Sequence, residues 1–255
     1  MKCFVFSFVI SFVISFGANA QTIINAERVG GVKDSSVYAL SLSYNGTRGN
    51  STTDQISISP VVVLKRKKNE FKLFAAYNVL SQSQNNILNS GYVHVRHNYN
   101  FKPFLKTIVF YQLQFNEVLR LTKREVVGAG FRFGLVRKDS LSLALSVGAM
   151  HEFELLNRSD LQSFEKYKTN YIRGSVVASF KWIVNEHLQV NEVVYYQPYL
   201  KNFADYRILN DINISIKVSD HFSFLLISSI RLDSQPPSSI GGYDWNFRVG
   251  VNVKK

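Results

Sequence analysis

The residues that could do chemistry in this chain are charged, and most recur at alternate positions. Arg96, Arg132, Glu152, Glu154, Arg173, Lys181, Arg207, Asp211, Lys217, Arg231, Asp233, Asp244 and Arg248 each have an apolar neighbour on at least one side, in segments of extended character. Side chains along a strand point alternately to opposite faces. These groups therefore share one face, opposed by a face of Val, Ile, Leu, Phe, Tyr and Trp. Gathered in an enclosed space they could pair as a structural ionic network, or line a passage where cations favour anions. The histidines offer less. His94, His97, His151, His187 and His221 lie on separate segments. Ser90 and His94 share a neighbourhood, but no third group stands ready to orient the base, as nucleophilic catalysis requires. His94 and His97 point to opposite faces, so they do not begin a metal site. The residues call for no cofactor.

The elements that must carry this pattern are strands. About twelve alternating segments follow one another from Val37 to the end of the chain, with no amphipathic helix to cover their greasy faces. Examples are Tyr38, Leu40, Leu42 and Tyr44; Val109, Tyr111, Leu113 and Phe115; and Tyr243, Trp245, Phe247, Val249, Val251 and Val253. The expected fold is all-β: a closed antiparallel transmembrane β-barrel, with its apolar face toward lipid and its charged face enclosed. A soluble sandwich or lipocalin-like barrel would also alternate, with the apolar face inward. The connections are expected to alternate between short and long. Short ones fall near 67–69, 100–103, 137–140, 185–186 and 219–220. Long ones fall near 46–54, 81–89, 117–123, 157–166, 201–205 and 233–242. Short periplasmic turns and longer outer loops have this order in outer-membrane barrels. Pro60 predicts a bulge or a local break in pairing. Glu192 falls among lipid-facing residues and Asn210 is a milder exception.

The start of the chain is a different grammar. Met1-Lys2 precedes an apolar run from Phe4 to Phe16, then Ala18-Asn19-Ala20. A basic start, a short apolar core and a small-x-small site read as a secretory signal peptide, with cleavage between Ala20 and Gln21. The expected organisation is a signal peptide over 1–20, an irregular lead-in over 21–36 and the barrel over 37–255. Cys3, the only cysteine, leaves with the signal. No later segment approaches the roughly 18 apolar residues of a membrane helix. The formal charge of +12 predicts affinity for anionic surfaces. Lys65-Arg66-Lys67-Lys68 reads as a solvated turn, and nucleic acid is not an expected partner. Arg48, Arg120, Lys123, Arg124, Lys166 and Lys168 lie on or near outer loops, where they could meet anionic glycolipid phosphates.

Several stretches resemble a known family. INAERVGG (Ile24 to Gly31), RGNSTTD (Arg48 to Asp54), YYQPYLKNFADYR (Tyr195 to Arg207), RLDSQPP (Arg231 to Pro237) and Asp244 occur in an order similar to the salt-induced outer-membrane protein family, domain-of-unknown-function family 481. The resemblance implies a bacterial outer-membrane barrel without an assigned biochemistry. The chain departs from that pattern at its end, Val253-Lys254-Lys255, where members often finish on an aromatic residue. The expected partners are outer-membrane lipids and glycolipids and the machinery that assembles such barrels. The expected role is structural or in envelope stress, with passage of small anions as an extension and a lipid-modifying enzyme as the alternative.

Overall fold

A computed structural model describes residues 36–49, 52–82, 85–158, 161, 165–237 and 240–253. The expected signal peptide with its Ala20/Gln21 cleavage site, and the expected lead-in up to residue 35, lie outside the described residues. The rest is one sheet of twelve strands in chain order: β1 (Ser36–Thr47), β2 (Thr53–Arg66), β3 (Asn69–Gln82), β4 (Asn85–Lys102), β5 (Leu105–Asn116), β6 (Leu121–Arg137), β7 (Leu141–Leu156), β8 (Lys168–Ile183), β9 (Leu188–Tyr199), β10 (Asn202–Lys217), β11 (Phe222–Asp233) and β12 (Tyr243–Val253). Every neighbour pair is antiparallel. No β1–β12 register is recorded among the described residues. β1 is exposed along nearly its whole length.

The two faces have opposite chemistry, and the polar one is buried. Arg124, Arg173, Glu152, Gln114, Arg96, Glu70 and Arg207 are among the most enclosed side chains. Leu42, Val109, Val127, Phe131, Ile172, Trp245 and Phe247 are exposed, with Trp245 at 63%. A soluble sandwich would show the reverse. The inner face also has an apolar band of Val177, Tyr195 and Leu209, flanked by Val193.

Pairing of β2 with β3 lapses at Ser59 and Pro60 and resumes in the same register at Val61. Proline has no N–H for the ladder, so the outcome is a break rather than a bulge. Gly130 and Gly148 face one another across β6 and β7. A Cβ on Gly148 would stand 2.3 Å from the Ala129 carbonyl oxygen, and one on Gly130 would stand 2.6 Å from that of Val147. Only glycine permits this approach.

The alternation of connection lengths is partial. Residues 48–52, 157–167 and 234–242 form long connections at one end of the sheet, but only 83–84 and 200–201 separate β3 from β4 and β9 from β10 at that same end. The polar residues expected to be loop there extend the hairpins instead, with Gln82 paired to Asn85 and Asn202 to Tyr199. Leu156 and Ile240, the latter from the last long connection, pack against the buried pair Leu119 and Leu121.

Candidate functional site

The inner face is organised in levels, because residues at equal height on successive strands meet across the ladder. The most developed level lies toward the long-loop end. Glu152, with no exposed surface, is its hub. Arg124 on β6 donates from Nε to Glu152 Oε2 at 2.8 Å, and its second guanidinium nitrogen bonds the same oxygen. Arg173 on β8 donates from Nε to Glu152 Oε1 at 2.6 Å and from Nη1 to Asp205 Oδ1 at 2.8 Å. Arg207 on β10 reaches over two intervening strands to Glu154 at 2.7 and 3.0 Å and to Glu152 at 3.0 Å. Its Nε donates to Asp233 Oδ2 at 2.8 Å. Arg124 also lies 3.1 Å from Glu154 and 3.4 Å from Gln114. Three arginines thus face four carboxylates in a lattice that ties β5 to β11. Charges withdrawn from water need such pairing.

Above the network, toward the long loops, a vestibule of about 620 Å³ opens. Glu154, Arg173 and Arg207 form part of its lining, with Arg231, Asp233 and Asp244 at the rim. Tyr171 and Tyr199 stack on its wall at 4.2 Å, and the Arg173 guanidinium lies 5.5 Å from the Tyr171 ring. Below the network, His94 is buried between Phe74 and Phe110, with Nδ1 3.1 Å from Gln112. A small cavity of about 60 Å³ lies there, bounded by His94, Gln112, Arg124 and Gln197 among others. Lower still, Lys72 pairs with Glu70 at 2.8 Å, Asn98 donates to Glu70 at 3.2 Å, and Arg96 donates to Asn98 at 2.9 Å. Arg132 donates to Ser179 at 2.7 Å.

Among the sequence-selected charges, Glu152, Glu154, Arg173, Arg207 and Asp233 come together in the network. Arg96 and Arg132 belong to the lower level. Asp211 accepts from Ser229 on β11. Arg231 and Asp244 are register partners at the vestibule. Lys181 and Arg248 have the inward parity but are exposed, Lys181 near the strand end, and the network does not reach them. Lys217, at the lower end of β10, pairs with Asp220 at 2.6 Å.

Arg124 is a correction. It does not face glycolipid from a loop; it is almost fully buried at the centre of the network. β6 begins at Leu121, so the expected loop is shorter and position 124 lies inside a strand. Parity was the available signal, since 124 is in step with Arg132. Asp205, expected in a loop, is likewise in step with Arg207 and bonds Arg173. Glu70, Lys72, Lys106 and Gln114 are further residues of inward parity; Lys72 and Gln114 stand between apolar neighbours, whereas Glu70 follows Asn69 and Lys106 precedes Thr107. Among the other loop-side cations, Arg48 pairs with Asp54 at 2.8 Å, Lys123 with Glu125 at 3.0 Å, and Lys168 lies 5.5 Å from the Phe153 ring. Glu192 and Asn210, two polar residues on the apolar face, bond each other: the Asn210 amide donates to Glu192 Oε1 at 2.8 Å.

Among the described residues no group of three or more His, Cys, Asp or Glu is disposed to hold a metal ion. His97 bonds Asn69 at 2.9 Å and stacks on Phe71, and His151 bonds Asn170.

The backbone is similar to that of the NanC porin, with a TM-score of 0.49 and 10% identity over 85% of this chain and 100% of that one. It is similar to the KdgM porin, with a TM-score of 0.41 and 14% identity over 87% and 99%. It is also similar to the translocator domain of the autotransporter NalP from Neisseria meningitidis, with a TM-score of 0.44 and 10% identity over 80% and 82%. No curated protein matches the sequence. The family model described as "Protein of unknown function, DUF481" matches residues 40–254, and the chain belongs to that family.

Proposed function

We propose that this chain is a closed barrel of a bacterial outer membrane, exported through its first twenty residues. In this reading it is a structural envelope protein whose ion-bridged lumen restricts passage to small solutes and favours anions. The observation that carries the reading is the inverted polarity: the ionic face is enclosed and the apolar face exposed. Water would penalise that arrangement, whereas acyl chains require it. Closure has a physical reason too. Unpaired β1 and β12 edges in hydrocarbon would leave backbone groups without partners. An even number of strands leaves β1 and β12 antiparallel, as closure of a meander needs. The short connections then face the periplasm, and the long loops, with Arg158 over Tyr167 at 5.2 Å, meet glycolipid. Assembly machinery of the outer membrane is the partner such a barrel needs, and nucleic acid has no place in it.

The reading assigns no catalysis. Ser90 and His94 are four residues apart on one strand, about 13 Å by strand rise, beyond hydrogen-bond reach. His94 is instead held by Gln112.

The test uses Trp182 and Trp245, both exposed on the apolar face. In vesicles of brominated lipid their fluorescence is expected to be strongly quenched, and aqueous acrylamide is expected to have little effect. The reverse pattern would end the membrane assignment. In planar bilayers the same preparation is expected to give small, anion-selective currents. A current no larger than background would remove the passage of anions and leave a plugged structural barrel.

A further inference from the structure

The network and the vestibule occupy the long-loop half of the lumen. The opposite mouth holds a second concentration of charge that neither uses. Lys68, Lys102, Lys106 and Arg137 stand around a recess of about 560 Å³, whose wall is completed by Asn100, Phe101 and Pro103. No carboxylate is among these lining residues. Glu70, one level inward, is already engaged by Lys72 and Asn98. Lys106 is within electrostatic reach of Glu70, but also of Arg132, Lys72 and Arg137.

These cations converge because the backbone places them, and not because flexible turns happen to meet. Lys67 takes a left-handed conformation, φ 54°, to close the β2–β3 turn. The carbonyl of Lys68 then accepts from the Asn100 backbone N–H at 2.7 Å and from the Asn100 side-chain amide at 2.9 Å. That pins the β2–β3 turn to the end of β4. The Phe104 carbonyl accepts from Gly134 N–H at 2.8 Å, which pins the β4–β5 turn to β6. Gly134 has no Cβ, and the Arg137 guanidinium fills the space one would occupy. Like charges brought together in this way repel. A multivalent anion offsets that repulsion better than separate monovalent ions, since one group meets several cations at once.

The geometry points to this recess as a binding site for a phosphate group, held by Lys68, Lys102, Lys106 and Arg137. The inference rests on the barrel reading for its place at the periplasmic mouth, and it gives the anion preference a chemical class. The phosphate has two possible sources. A soluble phosphate compound would enter from the aqueous side. A phospholipid headgroup would reach the recess over the rim, where Phe101 and Phe104 are exposed and Lys102 Nζ lies 5.9 Å from the Phe104 ring.

The experiment compares the full-length protein with a Lys102→Gln/Arg137→Gln variant and with a control, Lys201→Gln, at the opposite end. Calorimetry with pyrophosphate in a zwitterionic detergent tests the soluble source. Phosphorus NMR of nanodiscs containing phosphatidylglycerol or only phosphatidylcholine tests the lipid source. If pyrophosphate binds, the double variant is expected to bind about tenfold more weakly and the control equally well. If the lipid is the ligand, the protein broadens the phosphatidylglycerol signal, the double variant does not, and phosphatidylcholine is unaffected. Binding in neither arm, or equal binding by the double variant, overturns the site. A second variant, Lys68→Gln, repeats the comparison if the first fails to fold. Tryptophan quenching on the same samples keeps the two claims apart: quenching with no phosphate binding rejects the site alone, and absent quenching rejects the barrel reading.

Discussion

Glu152→Gln is the sharpest perturbation of the lumen, because the residue is fully enclosed and three guanidinium groups converge on it. Glutamine keeps the shape and one carbonyl acceptor, but it turns the other oxygen into a donor facing arginine. A hydrogen bond to a charged group contributes about 1.5–3 kcal/mol. Breaking a buried ion pair by removing one partner costs about 3–5 kcal/mol. The arginines are not stranded, however. Arg173 keeps Asp205, Arg207 keeps Glu154 and Asp233, and Arg124 keeps Glu154. The expected loss therefore lies near the lower end, about 3 kcal/mol. Arg207→Met should cost more. The network already holds one carboxylate more than it has arginines, and removing a cation leaves Glu154 and Asp233 both short of a partner. In the double variant the deficits partly cancel, and the sum of the single losses should exceed the observed loss by about 1–2 kcal/mol. Urea unfolding in lipid vesicles, followed by tryptophan emission and by heat-dependent migration on gels, measures all three. An Arg207→Met variant less damaged than Glu152→Gln, or strict additivity, would refute the idea that charge balance within this lattice is what holds it.

Two further outcomes follow from the walls. Gly148→Val should cost about 3 kcal/mol or more and sharply lower the folded yield, because its side chain meets opposing backbone that has no freedom to move aside. Gly174→Ala, whose nearest neighbours are side-chain atoms at 3.3 Å or beyond, should be tolerated on the same gel assay. On the apolar face, Glu192→Leu with Asn210→Leu should stabilise the protein by about 1–2 kcal/mol by removing polar groups from lipid. Glu192→Leu alone should gain less, since it leaves the Asn210 amide without its acceptor, and the urea midpoints of the two variants give the comparison.

Parity was legible in the sequence because it is a local property: one residue decides the face of the next. That is why alternation alone assigns Arg96, Arg173 and Arg207 to the polar face. Height was not legible. It depends on where each hairpin turns: the polar stretches near 81–89 and 201–205 read as loop, yet β3 runs to Gln82, β4 starts at Asn85 and β10 starts at Asn202. The same error placed Arg124 and Asp205 in loops, where the structure has them in strands on the enclosed face. Partner choice lies further beyond reach, since Arg207 meets Glu154 across 53 positions of sequence. That contact follows from the stagger accumulated over β8 and β9, and no pattern within any one strand encodes it. The Glu192–Asn210 pair shows the same principle from the other side. Each departs from the pattern of its own strand, and together they share one hydrogen bond diagonally across β9 and β10.

The formal charge of +12 acquires a direction once the strands are assembled. At the long-loop end three arginines face four carboxylates, so the network adds no positive charge. At the short-turn end, Lys65 to Lys68, Lys72, Arg96, Lys102, Lys106, Arg132 and Arg137 outnumber their acidic neighbours, of which Glu70 and Asp139 are the chief ones. In the proposed closed barrel the physical result is a field along the lumen, positive toward the short turns. A narrow, low-dielectric passage strengthens such a field, whereas bulk salt screens it within about 8 Å at physiological ionic strength. In that reading the network and the basic mouth divide the work: paired charge holds the wall together where it is buried, and the excess of cations stands where water and anions would reach it.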